Sequence, residues 1–307
     1  MNLSSNSDTI KKAKLVTRII HKIIILTGLD DAFAFYGQHS SFLRKLCPQP
    51  SYYEPCINKL IHRNGALFWL SPSDYMQWHI YSSQPEYSHS LAYKYLADVG
   101  KRKCLNILDC GANVGGFSLR LGALASDNKL CINIIAFEPN PTILKRLEYN
   151  ISLNNFPGVS IYADPSALGN KSSTISLSIN KSNSGASTIS NTACEKLEIL
   201  CQQITLDDYV ATSCLDSVEL IKIDVEGYEP FVLQGGEKII NRYKPILYIE
   251  ITPRWFSERG CDTARLLRKI ENLGYTIFYD DDGELVDLSS ISPSRLPWQY
   301  NILCIPE

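Results

Sequence analysis

The chain has 307 residues, 45% hydrophobic and 20% charged, ordinary proportions for a folded protein that exclude a disordered or collagen-like chain. Lys+Arg number 30 against Asp+Glu 32, a formal net charge of −2, so the sequence offers no broad positive field for duplex nucleic acid. At about 150 residues per domain, the length accommodates one large domain or one domain plus an elaborate extension.

Residues 1–9 are polar. Residues 10–29 read as an amphipathic helix, with Ile10, Leu15, Ile19, Ile20, Ile23 and Ile24 among Lys11, Lys12, Lys14, Arg18 and Lys22, and with Gly28 as its stop. The basic residues inside this apolar stretch, and the lack of a small-residue cleavage site, distinguish it from a secretory signal. No run reaches the ~20 apolar residues of a spanning helix. The helix either packs on its own domain or lies as a peripheral element on a membrane surface or partner. Residues 30–87 lack clean periodicity and are rich in Pro and aromatics, including Tyr52, Tyr53, Phe68, Trp69, Tyr75, Trp78, Tyr81 and Tyr87. They read as either a small substrate-contacting subdomain or a satellite core that also makes a homodimer contact. An N-terminal extension over 1–87 and a main domain over 88–307 are therefore expected.

From residue 88 the pattern becomes regular. A helix is predicted over His89–Val99, then a strand at Leu105–Leu108 ending at Asp109, a glycine-rich turn, and a helix over Phe117–Leu124. Strands follow at Ile132–Phe137, ending at Glu138, and at Val159–Ala163, separated by a helix over Pro141–Asn150 that starts with proline, as helices prefer. Lys171–Ile179 alternates Ser with Ile and Leu, which suits a half-exposed strand, and Asn180–Thr192 is a Ser/Asn/Thr loop and a candidate lid. A short helix opens at Thr205, and Val218–Ile223 is a further core strand ending at Asp224. Glu229–Tyr243 is helical with a break at Gly235-Gly236, Pro245–Ile251 is a strand containing Glu250, and Asp262–Leu273 is a capped helix closed by Gly274. Tyr275–Tyr279 and Tyr300–Ile305 complete the strands. Alternating strands and helices imply a mostly parallel sheet covered on both faces.

Ten cysteines include no Cys-x-x-Cys pair and no Cys/His quartet of zinc-binding spacing. Cys104, Cys110 and Cys131 lie in apolar runs, where buried free thiols are simpler than a disulfide framework and favour a reducing cytoplasm. His21, His39, His62, His79 and His89 lack ligand spacing to a second His or Cys.

Parallel sheets bind ligands beyond the carboxyl ends of their strands. Asp109, Glu138, Asp164 and Asp224 all lie at or just beyond such ends, so an acidic rim is the main functional signal. The turn Asp109-Cys110-Gly111-Ala112-Asn113-Val114-Gly115-Gly116 has the spacing G-x-x-x-G rather than the dinucleotide G-x-G-x-x-G. An ionised Asp109 there would also repel a pyrophosphate. An acidic mouth suits a ligand with positive charge and free hydroxyls, such as S-adenosylmethionine, and Glu138 is placed to accept hydrogen bonds from a ribose diol.

The segments LNILDCGANVGGFSL, AFEPNPTILKRLEYNISLN, ITLDDY, VELIKIDVEGYEPFVLQGG and KPILYIEI, running from about residue 105 to 251, resemble the FkbM-type S-adenosylmethionine-dependent methyltransferases. The resemblance implies a class I methyltransferase (Rossmann-like) α/β fold, a seven-stranded mostly parallel sheet with the last strand antiparallel. It also implies methylation of a hydroxyl, of a sugar, glycan or secondary metabolite. By the same resemblance Asp109, Gly111, Asn113 and Gly115 line the methionine part of the cofactor, Glu138 holds the ribose, and Asp164 lies near the adenine. Pro165 departs from the family pattern, which makes Ser166 the substitute candidate there.

An acceptor alcohol must be placed close to the donated carbon and must lose its proton. Asp224 and Glu226 flank Val225, and in an extended segment residues two apart point to one side, so both carboxylates are candidate catalytic groups. A divalent metal held by the pair is the less favoured alternative, because no clear third ligand accompanies it. Lys222 is expected either to pair with an acidic rim residue or to snorkel from its strand, and Glu250 to orient the substrate or Lys222 or to form a structural salt bridge. Tyr228 is a further substrate candidate. A non-catalytic binding module in glycan assembly, or a methyltransferase acting on nucleic acid or protein, are the competing readings.

Overall fold

The computed structural model describes residues 16–37, 39–99, 104–179, 188–189, 197–213 and 215–307. The chain divides into two compact units, one made of 1–63 and 68–85, the other of 64–67 and 86–307. Among the described residues no helix is long and apolar enough to cross a membrane.

In the first unit, residues 16–26 are helical (α1), and Gly28, at φ 72°, separates α1 from α2 (Leu29–Tyr36). α3 (Ser41–Leu46) is capped by Ser40, whose side chain accepts from the Leu43 N–H. β1 (Lys59–Arg63) and β2 (Ala66–Leu70) follow, then α4 (Tyr75–Tyr81), capped by Asp74. Aromatics that showed no periodicity make its interior: Tyr53, Phe68, Trp78 and Tyr81 are buried. Trp78 Nε1 donates to the Pro48 carbonyl at 2.7 Å. At the centre lies a fully buried Asp30. The Tyr81 hydroxyl is 2.7 Å from Asp30 and 2.9 Å from Asp31, and the Lys59 ammonium is 3.3 and 2.8 Å from the same two carboxylates. Such pairing is what makes a buried carboxylate tolerable.

The second unit alternates helices and strands: α5 (Ser88–Val99), β3 (Leu105–Cys110), α6 (Gly116–Asp127), β4 (Ile132–Phe137), α7 (Pro141–Ser152) and β5 (Val159–Asp164). Four further strands come next, β6 (Ala167–Leu168), β7 (Ser173–Ile179), β8 (Thr188–Ile189) and β9 (Leu197–Ile204). The chain then runs through α8 (Leu206–Thr212), β10 (Leu220–Ile223), α9 (Glu229–Gly235), α10 (Glu237–Tyr243) and β11 (Ile246–Ile251). It finishes with α11 (Pro253–Glu258), α12 (Thr263–Asn272), β12 (Tyr275–Asp281), β13 (Glu284–Asp287) and β14 (Tyr300–Pro306).

The main sheet has the order β13-β12-β14-β11-β10-β3-β4-β5. The run from β11 to β5 is parallel, and β14 is antiparallel to both neighbours. This is the expected class I sheet with its antiparallel last strand, enlarged from seven strands to eight by β13. Period-two alternation splits the side chains between two cores. Leu108, Ile221, Ile223, Leu247 and Ile249 pack with residues of α8, α9, α10 and α12 on one face; Ile107, Leu220, Tyr248 and Leu303 pack with α5 and α6 on the other. The order reverses between β3 and β10, and a crevice at such a reversal is where open parallel sheets bind ligands.

Two further differences from expectation concern the sheet's surroundings. A second sheet, β6-β9-β7-β8, surrounds the predicted strand at β7 with partners that were not predicted. The Asn180–Thr192 loop lies outside the described residues except for 188–189, which form β8. Cys104 and Cys131 are not free thiols: they form a disulfide with Cα atoms 4.5 Å apart. They precede β3 and β4, whose pairing places Leu105 opposite Ile132, so adjacent strand starts bring the sulfurs together. Cys110 is a buried free thiol, as expected. The case for a reducing compartment from unpaired cysteines is weakened accordingly.

Candidate active site

At the carboxyl end of β3 the chain turns sharply through Gly111, Asn113 and Gly115, at φ 84°, 49° and 92°. The N–H groups of Gly111 and Ala112 both donate to the Phe137 carbonyl, at 3.1 and 2.9 Å, which pins the turn to the end of β4. A Cβ on Gly111 would collide with the Asp224 carbonyl. Glycine at 111 therefore serves the close approach of β10's end, and that space is not left for a ligand.

Glu138 is nearly buried. Its Oε2 accepts from the Asn113 N–H at 3.1 Å and its Oε1 from the Asn140 N–H at 2.9 Å. Burial pushes its carboxyl up to about 7, against the pull of those two N–H groups. Asn140, which the sequence did not single out, also caps α7, so one residue orders both the helix start and Glu138. At the end of β5 the Asp164 carbonyl accepts from the Glu138 N–H at 2.9 Å, and its carboxylate accepts from the Ser166 N–H at 2.9 Å. Asp164 and Ser166 thus form a single turn attached to Glu138.

Asp109 is fully buried. Ser118, on the first turn of α6, donates to its Oδ2 at 2.6 Å. Lys222 lies opposite Asp109 in the β10–β3 register, and its ammonium sits 3.3 Å from Asp109 and 3.2 Å from Asp224 while donating to the Gly111 carbonyl at 3.3 Å. Burial acts to lower the Lys222 pKa, but the two carboxylates outweigh it and the net shift is upward. Lys222 therefore takes the ion-pair alternative and bridges β3 to β10 at the point where strand order reverses.

The segment after β10 is not extended. The strand ends at Ile223, and Glu226 and Gly227 adopt φ 56° and 87°, so the two-apart alternation that would aim Asp224 and Glu226 alike does not apply. The bend is held by Glu229, whose Oε1 accepts from the N–H groups of Val225 at 2.8 Å and Gly227 at 3.1 Å. Arg259 adds a bond to the Glu226 carbonyl at 3.3 Å. The two carboxylates still interact: burial first, then the charges of Asp224 and Glu229, push Glu226 up to about 9. Glu229, buried, is pushed up to about 7.

Glu250 does not orient Lys222, whose ammonium is held by Asp109 and Asp224. Its Oε1 accepts instead from the Gln299 amide at 2.6 Å, and burial, followed by the charges of Asp224, Glu226 and Glu229, raises its pKa. Tyr228 precedes α9, with its ring stacked 4.4 Å from Phe231. Among the described residues no group of three or more His, Cys, Asp or Glu is arranged to hold a metal ion. The sequence reading missed the supporting residues Ser118, Arg259 and Gln299, since a lone polar residue on a distant element carries no motif.

No curated protein matches the chain. Among solved structures it is similar to the methyltransferase FkbM from Methylobacillus flagellatus KT, at 20% identity and TM-score 0.44, over 74% of this chain and 52% of that one. The chain thus spans about half the length of that protein. It is also similar to the magnesium protoporphyrin IX methyltransferase from Synechocystis PCC 6803 with bound SAM, at 9% identity and TM-score 0.41, over 91% of this chain and 97% of that one. A third likeness is to an rRNA methylase from Streptococcus thermophilus, at 13% identity and TM-score 0.37, over 71% and 95% of the two chains. The methyltransferase FkbM domain matches residues 109–277, more than half of this chain, from the acid at the end of β3 through Glu138, Lys222 and Glu250 into β12. The chain belongs to the FkbM methyltransferase family.

Proposed function

We propose that the chain is an S-adenosylmethionine-dependent O-methyltransferase acting on a hydroxyl of a sugar, glycan or secondary metabolite. The observation that supports this best is Glu138, a nearly buried carboxylate whose two oxygens each take one backbone N–H and each keep a lone pair for a further donor. A ribose diol is the group that suits such an acceptor. On this reading Glu138 holds the ribose, Asp164 and Ser166 the adenine, and Asp109, Asn113 and Gly115 the methionine end, with Gly111 shaping the turn that carries them. When bound, the donor supplies a methyl carbon activated by its sulfonium.

Lys222 compensates Asp109 and Asp224 together, which keeps two acids side by side in a buried setting. Asp224, whose side chain is 33% exposed, is the proton acceptor for the acceptor hydroxyl. Glu226, at about 9, holds its proton at neutral pH and donates a hydrogen bond to the acceptor instead. Tyr228 and Glu250 are proposed acceptor contacts, with Lys222 positioning Asp224. The donor is an intracellular metabolite, so the reaction is proposed to run in the cytoplasm, and the balanced overall charge favours a small or glycan acceptor over nucleic acid.

Calorimetric titration of S-adenosylmethionine tests the cofactor assignment. Glu138→Ala should weaken binding by about thirtyfold or more, the loss of a charged hydrogen-bond acceptor. Because Glu138 titrates at about 7, wild-type affinity should fall as pH drops below that value and the carboxylate is protonated. Unchanged binding by the variant would remove the ribose assignment. In labelled-methyl transfer over a panel of sugars, nucleotide sugars and lipid-linked glycans, Asp224→Asn should lower turnover by about a hundredfold with little change in cofactor affinity. Normal turnover by Asp224→Asn would move the proton acceptor elsewhere.

A further inference from the structure

Large apolar side chains on the surface are unevenly spread. Of seventeen exposed among the described residues, twelve lie between Val16 and Tyr75, in the first unit. Helix α1 accounts for the densest part. Val16, Ile19, Ile20, Ile23 and Leu26 are each at least half exposed, and their spacing of three and four sets them along one stripe. The opposite side is already used: His21, Ile24 and Ile25 are half-buried, and the His21 ring lies 4.1 Å from Tyr52. So α1 packs one side on its own unit and presents a second apolar side to solvent. Phe42, 69% exposed on α3, extends the apolar surface of the same unit.

Charge identifies what covers the stripe. Arg18 and Lys22, one turn apart, are both exposed on α1. The sequence from 10 to 29 carries five basic residues and no acidic one. The acids that follow this segment, Asp30 and Asp31, are taken up by Lys59 and Tyr81. An apolar stripe beside uncompensated basic groups complements an anionic lipid surface. A second copy would bury the stripe equally well, but a two-fold interface presents the same patch from both sides, with basic groups against basic groups.

We propose that α1 docks the protein on an anionic membrane surface, lying in the interfacial plane with its stripe toward the acyl chains and Arg18 and Lys22 at the headgroups. The test is co-sedimentation of the full chain with vesicles of phosphatidylcholine alone and of equal parts phosphatidylcholine and phosphatidylglycerol, with the oligomeric state measured by sedimentation velocity. The wild type should bind the anionic vesicles, and added salt should release it. The double variant Ile19→Asp/Ile23→Asp should lose binding, and Arg18→Gln and Lys22→Gln should each weaken it roughly fivefold. All substituted positions are exposed, so unchanged circular dichroism is expected. Absence of binding to anionic vesicles overturns the proposal, as does undiminished binding by the aspartate variant. A wild-type dimer that the aspartate variant converts to monomer, without vesicle binding, would assign the stripe to a second copy.

Discussion

In the second unit, β3 and β10 bury every residue they contain, and apolar cores cover both faces of their sheet. In the first unit, a carboxylate, a phenol and an ammonium occupy the centre while isoleucines of α1 stand in solvent. The sheet unit meets the cost of its buried acids with apolar burial all around them, worth about 25 cal/mol per Å². The first unit has fewer apolar groups inside and holds its shape through a handful of polar contacts. A unit of the first kind should fail abruptly at points of steric contact, and one of the second kind where a polar partner is removed.

The sharpest test of the first half of that contrast is Gly111→Ala. Its φ of 84° and the blocked approach to the Asp224 carbonyl leave the new Cβ no place, so denaturant unfolding should show a loss of about 4 kcal/mol. Wild-type stability for the variant would mean that the ends of β3 and β10 are not in contact. The polar half of the contrast is broken by Tyr81→Phe, which removes the hydroxyl from the fully buried Asp30 and should cost about 2 kcal/mol. A change near zero there would show the first unit to be held by its aromatic packing instead.

The third test reads a slope rather than a single stability value. Glu226 is pushed up to about 9 in the folded chain, against about 4.3 for an unperturbed glutamate. Between those values the folded state holds a proton that the unfolded state has lost. The stabilisation linked to this group is therefore complete below about 4.3 and is lost as pH rises through about 9. Glu226→Gln does not titrate, so melting temperature followed from pH 5 upward should fall less steeply in the variant. Parallel curves would place Glu226 in water.

Much of the sheet was legible because its strands are short apolar runs that end in an acid, as at Asp109, Glu138 and Asp224, and because the Gly235-Gly236 break does separate α9 from α10. The missed strands lack that signature. β9 mixes Glu198, Gln202 and Gln203 into its length and is defined by pairing with the distant β7, a long-range fact that no local pattern carries. β13 was readable in principle, since Asp282-Gly283 is a strong two-residue hairpin signal and both residues adopt positive φ. The acid rim was visible as residue types, but its arrangement was not: the bend at Glu226 depends on Glu229 reaching back to two N–H groups. The Cys104–Cys131 pairing likewise depends on strand register, which cysteine spacing does not encode.

The β12–β13 hairpin has a consequence for how the molecule behaves in a crowded solution. Without it the main sheet would end at β12, a long strand with an open row of backbone donors and acceptors. With it, the border is a four-residue strand flanked by exposed Asp281, Asp282, Glu284 and Asp287. An incoming strand from another molecule would have to strip water from several like charges to gain a few ladder bonds. The hairpin thus acts as a guard against edge-to-edge aggregation.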